Sequence, residues 1–147
     1  MSPTEAAVQD LLDRDALRRL VEAYATAVDH RDLEAAAGCF LPRGRLTVDD
    51  GAPLEGRDAI VGALARLSRY TVTAHLLGHS NHTVEGDRAR GESWCRAHHL
   101  YEEAGVRRDW IMEIRYLDRY VRSGEGWRIE DRHLVVDWLE DRPLEVR

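Results

Sequence analysis

The apolar residues change period once along the chain, and that change restricts the fold more than any other feature. Leu17, Leu20, Val21, Tyr24 and Val28 recur at helical spacing, with Arg18, Arg19 and Glu22 on the opposite side. From Tyr70 onward the period becomes two. Before the change, Ser2-Pro3-Thr4-Glu5 has the form of a capping box with proline at the first helical position, and Asp13 or Asp15 offers a restart for a second helix. The stripe is expected to end near Asp29-His30-Arg31. Asp32 is a candidate N-cap for a short helix from Leu33 to Phe40, which Pro42 and Gly44 are expected to stop. A small hairpin is expected next, Arg45 to Val48 and Ala52 to Glu55 around Asp49-Asp50-Gly51. Ile60, Leu64 and Leu67 mark a third helix entered through Gly56-Arg57-Asp58.

Four strands are expected after the change: Tyr70 to Ser80, Arg88 to Glu102, Val106 to Arg122 and Trp127 to Trp138. Glu85-Gly86-Asp87, Glu103-Ala104-Gly105 and Ser123-Gly124-Glu125-Gly126 supply the turns, and connections this short imply antiparallel pairing. Helices followed by a long meander make an α+β plan, with the sheet curled around the helices. In the second strand one parity holds Ala89, Gly91, Ser93, Cys95, Ala97, His99 and Tyr101, and the other Arg88, Arg90, Glu92, Trp94, Arg96, His98 and Leu100. Small residues leave volume on the first face, so His99 looks inward and His98 outward. The inward set of the next strand is Trp110, Met112, Ile114, Tyr116, Asp118 and Tyr120. Two such walls either enclose an apolar ligand cavity or simply make a core, and periodicity fits both.

At 147 residues the chain has the length of one domain, read as 1–147 with a core from about 11 to 138. No apolar run approaches the ~20 residues of a membrane helix. All 21 basic residues are arginine, which removes Schiff-base, pyridoxal and phosphate-loop lysine chemistry. A net charge of -6 offers no field for nucleic acid. The two cysteines, Cys39 and Cys95, sit in no metal or redox motif and read as small buried hydrophobes. The N-terminus lacks a signal-peptide profile, so a reduced, cytoplasmic protein is expected.

Seven histidines raise the question of a metal. There is no H-E-x-x-H, and on a regular strand His82 falls on the opposite parity from His75 and His79, so none is expected. No G-x-S-x-G elbow marks a nucleophile. Acid–base chemistry by carboxylate and imidazole remains. Asp29 lies near a helix C-terminus, where a carboxylate needs a partner, or else it is a capping acid. His75, among apolar neighbours, is a base or a satisfied structural histidine.

Val28-Asp29-His30-Arg31-Asp32-Leu33, Thr73-Ala74-His75-Leu76-Leu77-Gly78, the strand ending Arg96-Ala97-His98-His99, and Arg115-Tyr116-Leu117-Asp118-Arg119-Tyr120 before Gly126-Trp127-Arg128-Ile129 together resemble the SnoaL-like branch of the nuclear transport factor 2-like superfamily. That branch groups with scytalone dehydratase, bile-acid 7α-dehydratase and hexachlorocyclohexane dehydrochlorinase. The resemblance runs from about Leu11 to Trp138. It implies a cone-like barrel of a strongly curved, mostly antiparallel sheet wrapped around N-terminal helices, with an apolar pocket between them. It also implies that Asp29 orients His75 and that His75 moves the proton. His99 falls at the second histidine of scytalone dehydratase and Tyr116 at a polar pocket position, with Tyr24 and Met112 as further pocket candidates. Two tyrosines of that enzyme are matched by Val28 and Val48 and a serine by Ile114, so its substrate is not implied.

The resemblance thus implies a cofactor-independent lyase or isomerase acting on a small hydrophobic cyclic substrate, with His99 or Tyr116 donating to the developing oxyanion. A polyketide-type cyclase, a non-catalytic ligand-binding module and the small subunit of a ring-hydroxylating oxygenase are the alternatives. A homodimer or homotrimer is expected, with Trp94, Arg96, His98 and Leu100 outward.

Overall fold

The computed structural model describes residues 1–145. Helix α1 runs unbroken from Pro3 to Asp29, and its capping box is formed: the Ser2 hydroxyl accepts from the Glu5 N–H, and the Glu5 carboxylate accepts from the Ser2 N–H. The restart expected at Asp13 or Asp15 does not occur because neither side chain is free to cap. Asp13 turns into the core and is held by Arg122 and Trp127, and Asp15 binds Arg18 and Arg19 on the surface.

Helix α2 (Leu33–Gly38) is capped by Asp32, whose carboxylate accepts from the Ala35 N–H at 3.1 Å. It ends short of Phe40, which opens strand β1 (Phe40–Val48). Pro42 and Gly44 therefore lie inside a strand, where an irregularity in register between Phe40 and Arg45 accommodates them. Strand β2 (Leu54–Glu55) completes the small hairpin, and helix α3 (Arg57–Leu64) continues into a 3₁₀ turn over Ala65–Arg69. Strands β3 (Val72–Glu85), β4 (Arg88–Glu103), β5 (Val106–Ser123) and β6 (Gly126–Pro143) form the meander.

The six strands lie in the order β2-β1-β6-β5-β4-β3. β1 and β6 run parallel, so the sheet is mixed. Short turns dictate antiparallel neighbours only within β3–β6, whereas β1 reaches β6 through everything between them. β2 and β3 occupy opposite ends of the sheet, so the expected cone-like sheet, mostly antiparallel, is open along one side. The α+β plan itself holds.

Register rows show what the helices cover. Ala89, Tyr120, Ile129 and Phe40 form one buried row; Gly91, Asp118, Arg132 and Leu46 form the next, against α1. Further along come Cys95, Ile114 and Val136, then His75, Ala97, Met112 and Leu139, then Thr73, His99, Trp110 and Asp141. Burial falls off only toward β6 and the end of β1, where Leu139 is 53% and Val48 is 41% exposed, while Ala97, His99 and Thr73 at the β3–β4 side of the same rows stay buried. The inner face is thus a dry core at one end and an accessible apolar wall at the other, with His75 at the boundary.

Candidate functional site

Asp29 is the last residue of α1, where the helix dipole disfavours negative charge. Three donors offset that. The His75 Nδ1 lies 2.6 Å from Oδ1, the His75 backbone N–H donates to Oδ2 at 2.8 Å, and the Thr73 hydroxyl donates to Oδ1 at 3.0 Å. Burial pushes the Asp29 carboxyl up, but the hydrogen bonds from His75 and Thr73 outweigh it and hold the group below its ordinary value. An ionised carboxylate only accepts, so His75 carries a proton on Nδ1 and keeps Nε2 clear of the carboxylate. The pair is recessed, with 7% of the His75 side chain and 22% of the Asp29 side chain exposed.

His99 stands one row further, its ring 6.2 Å from that of His75 and nearly perpendicular to it. Its Nδ1 is 2.9 Å from the Trp110 carbonyl, which can only accept, so Nδ1 carries the proton here too. Burial lowers the basicity of His99 and keeps it neutral near pH 7. Tyr70, at 4.9 Å, and Trp110, at 5.5 Å between ring centroids, pack against it. Beyond them opens a cleft of about 490 Å³ lined by Arg69, Tyr70, Tyr101, Glu102, Trp110 and Asp141. Met112 shares the His75 row on the half-buried wall.

Tyr24 and Tyr116 meet each other edge to face at 6.0 Å and belong to a different cluster. The Arg132 guanidinium lies 4.5 Å from the Tyr24 ring and 4.0 Å from the Tyr116 ring, and binds the Asp118 carboxylate through two hydrogen bonds of 2.8 and 2.7 Å. Burial raises both phenols above their ordinary value. The structure therefore gathers His75, His99 and Met112 on one stretch of wall, with Asp29 reaching His75 from the end of α1, while the two tyrosines pack around Arg132.

One parity reading fails. Gly78 and His79 together oppose Trp94, a bulge that moves His79 outward onto the Trp94 ring and turns His82 inward over Gly91. Sequence reasoning also missed Thr73, Arg31 and Arg132. The Thr73-x-His75 spacing was a usable signal for the first, since both residues face inward on a strand. Nothing marks Arg132 within Glu130-Asp131-Arg132-His133.

Residues 9–133 match the family model of the SnoaL-like domain, and the chain belongs to that family. An uncharacterised Mycobacterium tuberculosis protein, Rv2910c, is 29% identical over 125 residues, spanning 83% of this chain and 84% of its own. Among solved structures, an NTF2-like protein with a cystatin-like fold from Novosphingobium aromaticivorans is 26% identical, with a TM-score of 0.75, over 91% of this chain and 88% of its own. A type 2 hexachlorocyclohexane dehydrochlorinase (LinA) is 16% identical, with a TM-score of 0.81, over 95% of this chain and 93% of its own. The last likeness is one of fold.

Proposed function

We propose that the chain is a cofactor-independent lyase or isomerase of the dehydratase type, in which His75 removes a proton from a small hydrophobic cyclic substrate. The observation that carries this reading is the recessed Asp29–His75 pair, which holds a proton on Nδ1 and leaves Nε2 as the nitrogen that can take up a proton beside an accessible apolar wall. Asp29 stabilises the imidazolium that forms, and its low carboxyl value keeps the proton on His75 until it is returned or passed to a leaving group. With its Nδ1–H held by Trp110, neutral His99 offers an acceptor in place of the oxyanion donor expected from sequence, and fits a substrate hydroxyl. The likeness in fold to a dehydrochlorinase, whose name describes an elimination, supports the reaction class.

The test is deuterium incorporation from D₂O into a panel of cyclic ketones and β-hydroxyketones, followed by NMR. Wild-type protein accelerates exchange or elimination for at least one member, and His75→Gln lowers that rate by about 10²–10⁴-fold. Turnover by His75→Gln equal to wild type would refute the assignment. Saturable binding without any proton exchange across the panel would favour the ligand-binding alternative.

A further inference from the structure

Two residues after Asp29, Arg31 adopts a left-handed backbone conformation with φ of 60°, which disfavours any residue bearing a Cβ. Its side chain has a reason to be there. The guanidinium donates to the Val28 carbonyl at 3.0 Å, the Thr73 hydroxyl at 2.7 Å, the Leu67 carbonyl at 3.3 Å and the Tyr70 carbonyl at 3.5 Å. It thereby ties the end of α1, the 3₁₀ turn and the start of β3 together at the point where the dyad is assembled.

The contact with Thr73 has a definite polarity. A guanidinium has no acceptor, so the Thr73 oxygen must accept from Arg31, and its single proton is left for the Asp29 Oδ1 at 3.0 Å. Thr73 is only 5% exposed, so its hydroxyl is largely withdrawn from solvent. We infer that Arg31 is a positioning residue for the dyad: through the Thr73 hydroxyl it aims a fixed donor at Asp29, which orients the carboxylate toward the His75 Nδ1. The same guanidinium holds the Tyr70 backbone, and the Tyr70 ring packs on His99, so both histidines are supported from one anchor. Arginine is required because one fork must serve four acceptors in three segments; lysine offers three donors from a single atom.

This inference rests on the proposed role of Asp29 and His75, but its test needs no substrate. Charged or titratable neighbours of Asp29 are His75 on β3, His99 and Cys95 on β4, and His30, Arg31 and Asp32 on its own segment. The Asp29 carboxyl is followed by its ¹³C shift against pH in wild type, Thr73→Val, Thr73→Ser, Arg31→Met and the Arg31→Met/Thr73→Val double variant, with circular dichroism as the check on folding. Thr73→Val and Arg31→Met each move the Asp29 midpoint up toward the ordinary carboxylate range, and Thr73→Ser keeps it at the wild-type value. In the Thr73→Val background, Arg31→Met has much less effect than alone, because the donor it aims is already gone. An equal Arg31→Met shift in both backgrounds, or no shift in either single variant, overturns the relay. Arg31→Lys replaces Arg31→Met in the cycle if the latter does not fold. A relay established while His75→Gln proves active would leave the positioning intact and remove only the catalytic reading.

Discussion

At the scale of single residues, the two inward histidines present the same nitrogen for different reasons. An ionised carboxylate fixes the tautomer of His75, while a backbone carbonyl and burial fix that of His99. The second arrangement has a consequence for stability. An unfolded histidine binds its proton near pH 6.5, and folded His99 binds it only at lower pH, so the unfolded state is protonated first. The stability tied to a neutral His99 is complete above pH 6.5 and is lost as pH falls through the folded value. Urea unfolding between pH 7 and 5 therefore shows a falling free energy in wild type, and a shallower fall in His99→Phe, which keeps a ring against Tyr70 and Trp110. Buried His82 titrates in the same direction and leaves some slope in the variant. Identical slopes would mean that folding does not depress His99. Asp29 acts in the opposite range: its contribution is intact above the ordinary carboxylate value of about 4 and disappears as pH falls through its lower folded value.

Between elements, α1 is held to the β5–β6 hairpin by one acid in its own middle. The Asp13 carboxylate accepts two hydrogen bonds from Arg122, at 2.7 and 2.8 Å, and one from the Trp127 indole at 3.1 Å, while the Arg122 guanidinium lies 4.4 Å from the Trp127 ring. The Arg122 contacts draw the Asp13 carboxyl down to about 2 despite the opposing effect of burial. Asp13→Asn is expected to lower stability by about 1–3 kcal/mol at pH 7, the cost of charge-assisted hydrogen bonds left mismatched. That difference should shrink as pH falls from 4 through about 2, where wild-type Asp13 itself is protonated. Guanidinium titrations at pH 7 and pH 3 read both effects. The same acid shows where sequence was legible and where it was not. The stripe from Leu17 to Val28 gave α1 and placed Asp29 at its edge, and alternation in β4 turned His99 inward. Asp13 read as a helix start because its partners lie 109 and 114 residues away, and no local pattern announces them. Alternation also failed wherever strands bulge: once in β3, which moved His79 and His82, and twice in β6, where register shifts opposite Arg119/Tyr120 and Glu113/Ile114 put Ile129, Arg132, Val136 and Leu139 on one face. A parity argument carries no further than the next bulge.

For the molecule as a whole, the dry end of the inner face is organised around a charge. Arg132 and Asp118 have fully buried side chains, and the guanidinium sits between the Tyr24 and Tyr116 rings, so α1, β5 and β6 meet on one ion pair. This is the most deeply buried part of the interior, and it adjoins, on the same sheet face, the wall that carries His75 and Met112. A buried pair of this kind returns little net stability, because the desolvation of both ions offsets their attraction, but breaking it strands a charge. Arg132→Met is therefore expected to cost about 3–5 kcal/mol, a large share of the roughly 5–15 kcal/mol that holds a domain folded. Arg132→Met combined with Asp118→Leu removes both ions, and should recover most of that loss even though the two rings lose their cation. The core runs continuously from Leu17 on α1 to Ile129 on β6, so a single unfolding transition is expected, seen together by tryptophan fluorescence and far-ultraviolet circular dichroism. Comparing urea midpoints of the single and double variants decides the matter. A double variant no more stable than Arg132→Met would show that the cation itself, rather than the avoidance of a lone buried carboxylate, keeps the two tyrosines and the three elements in place.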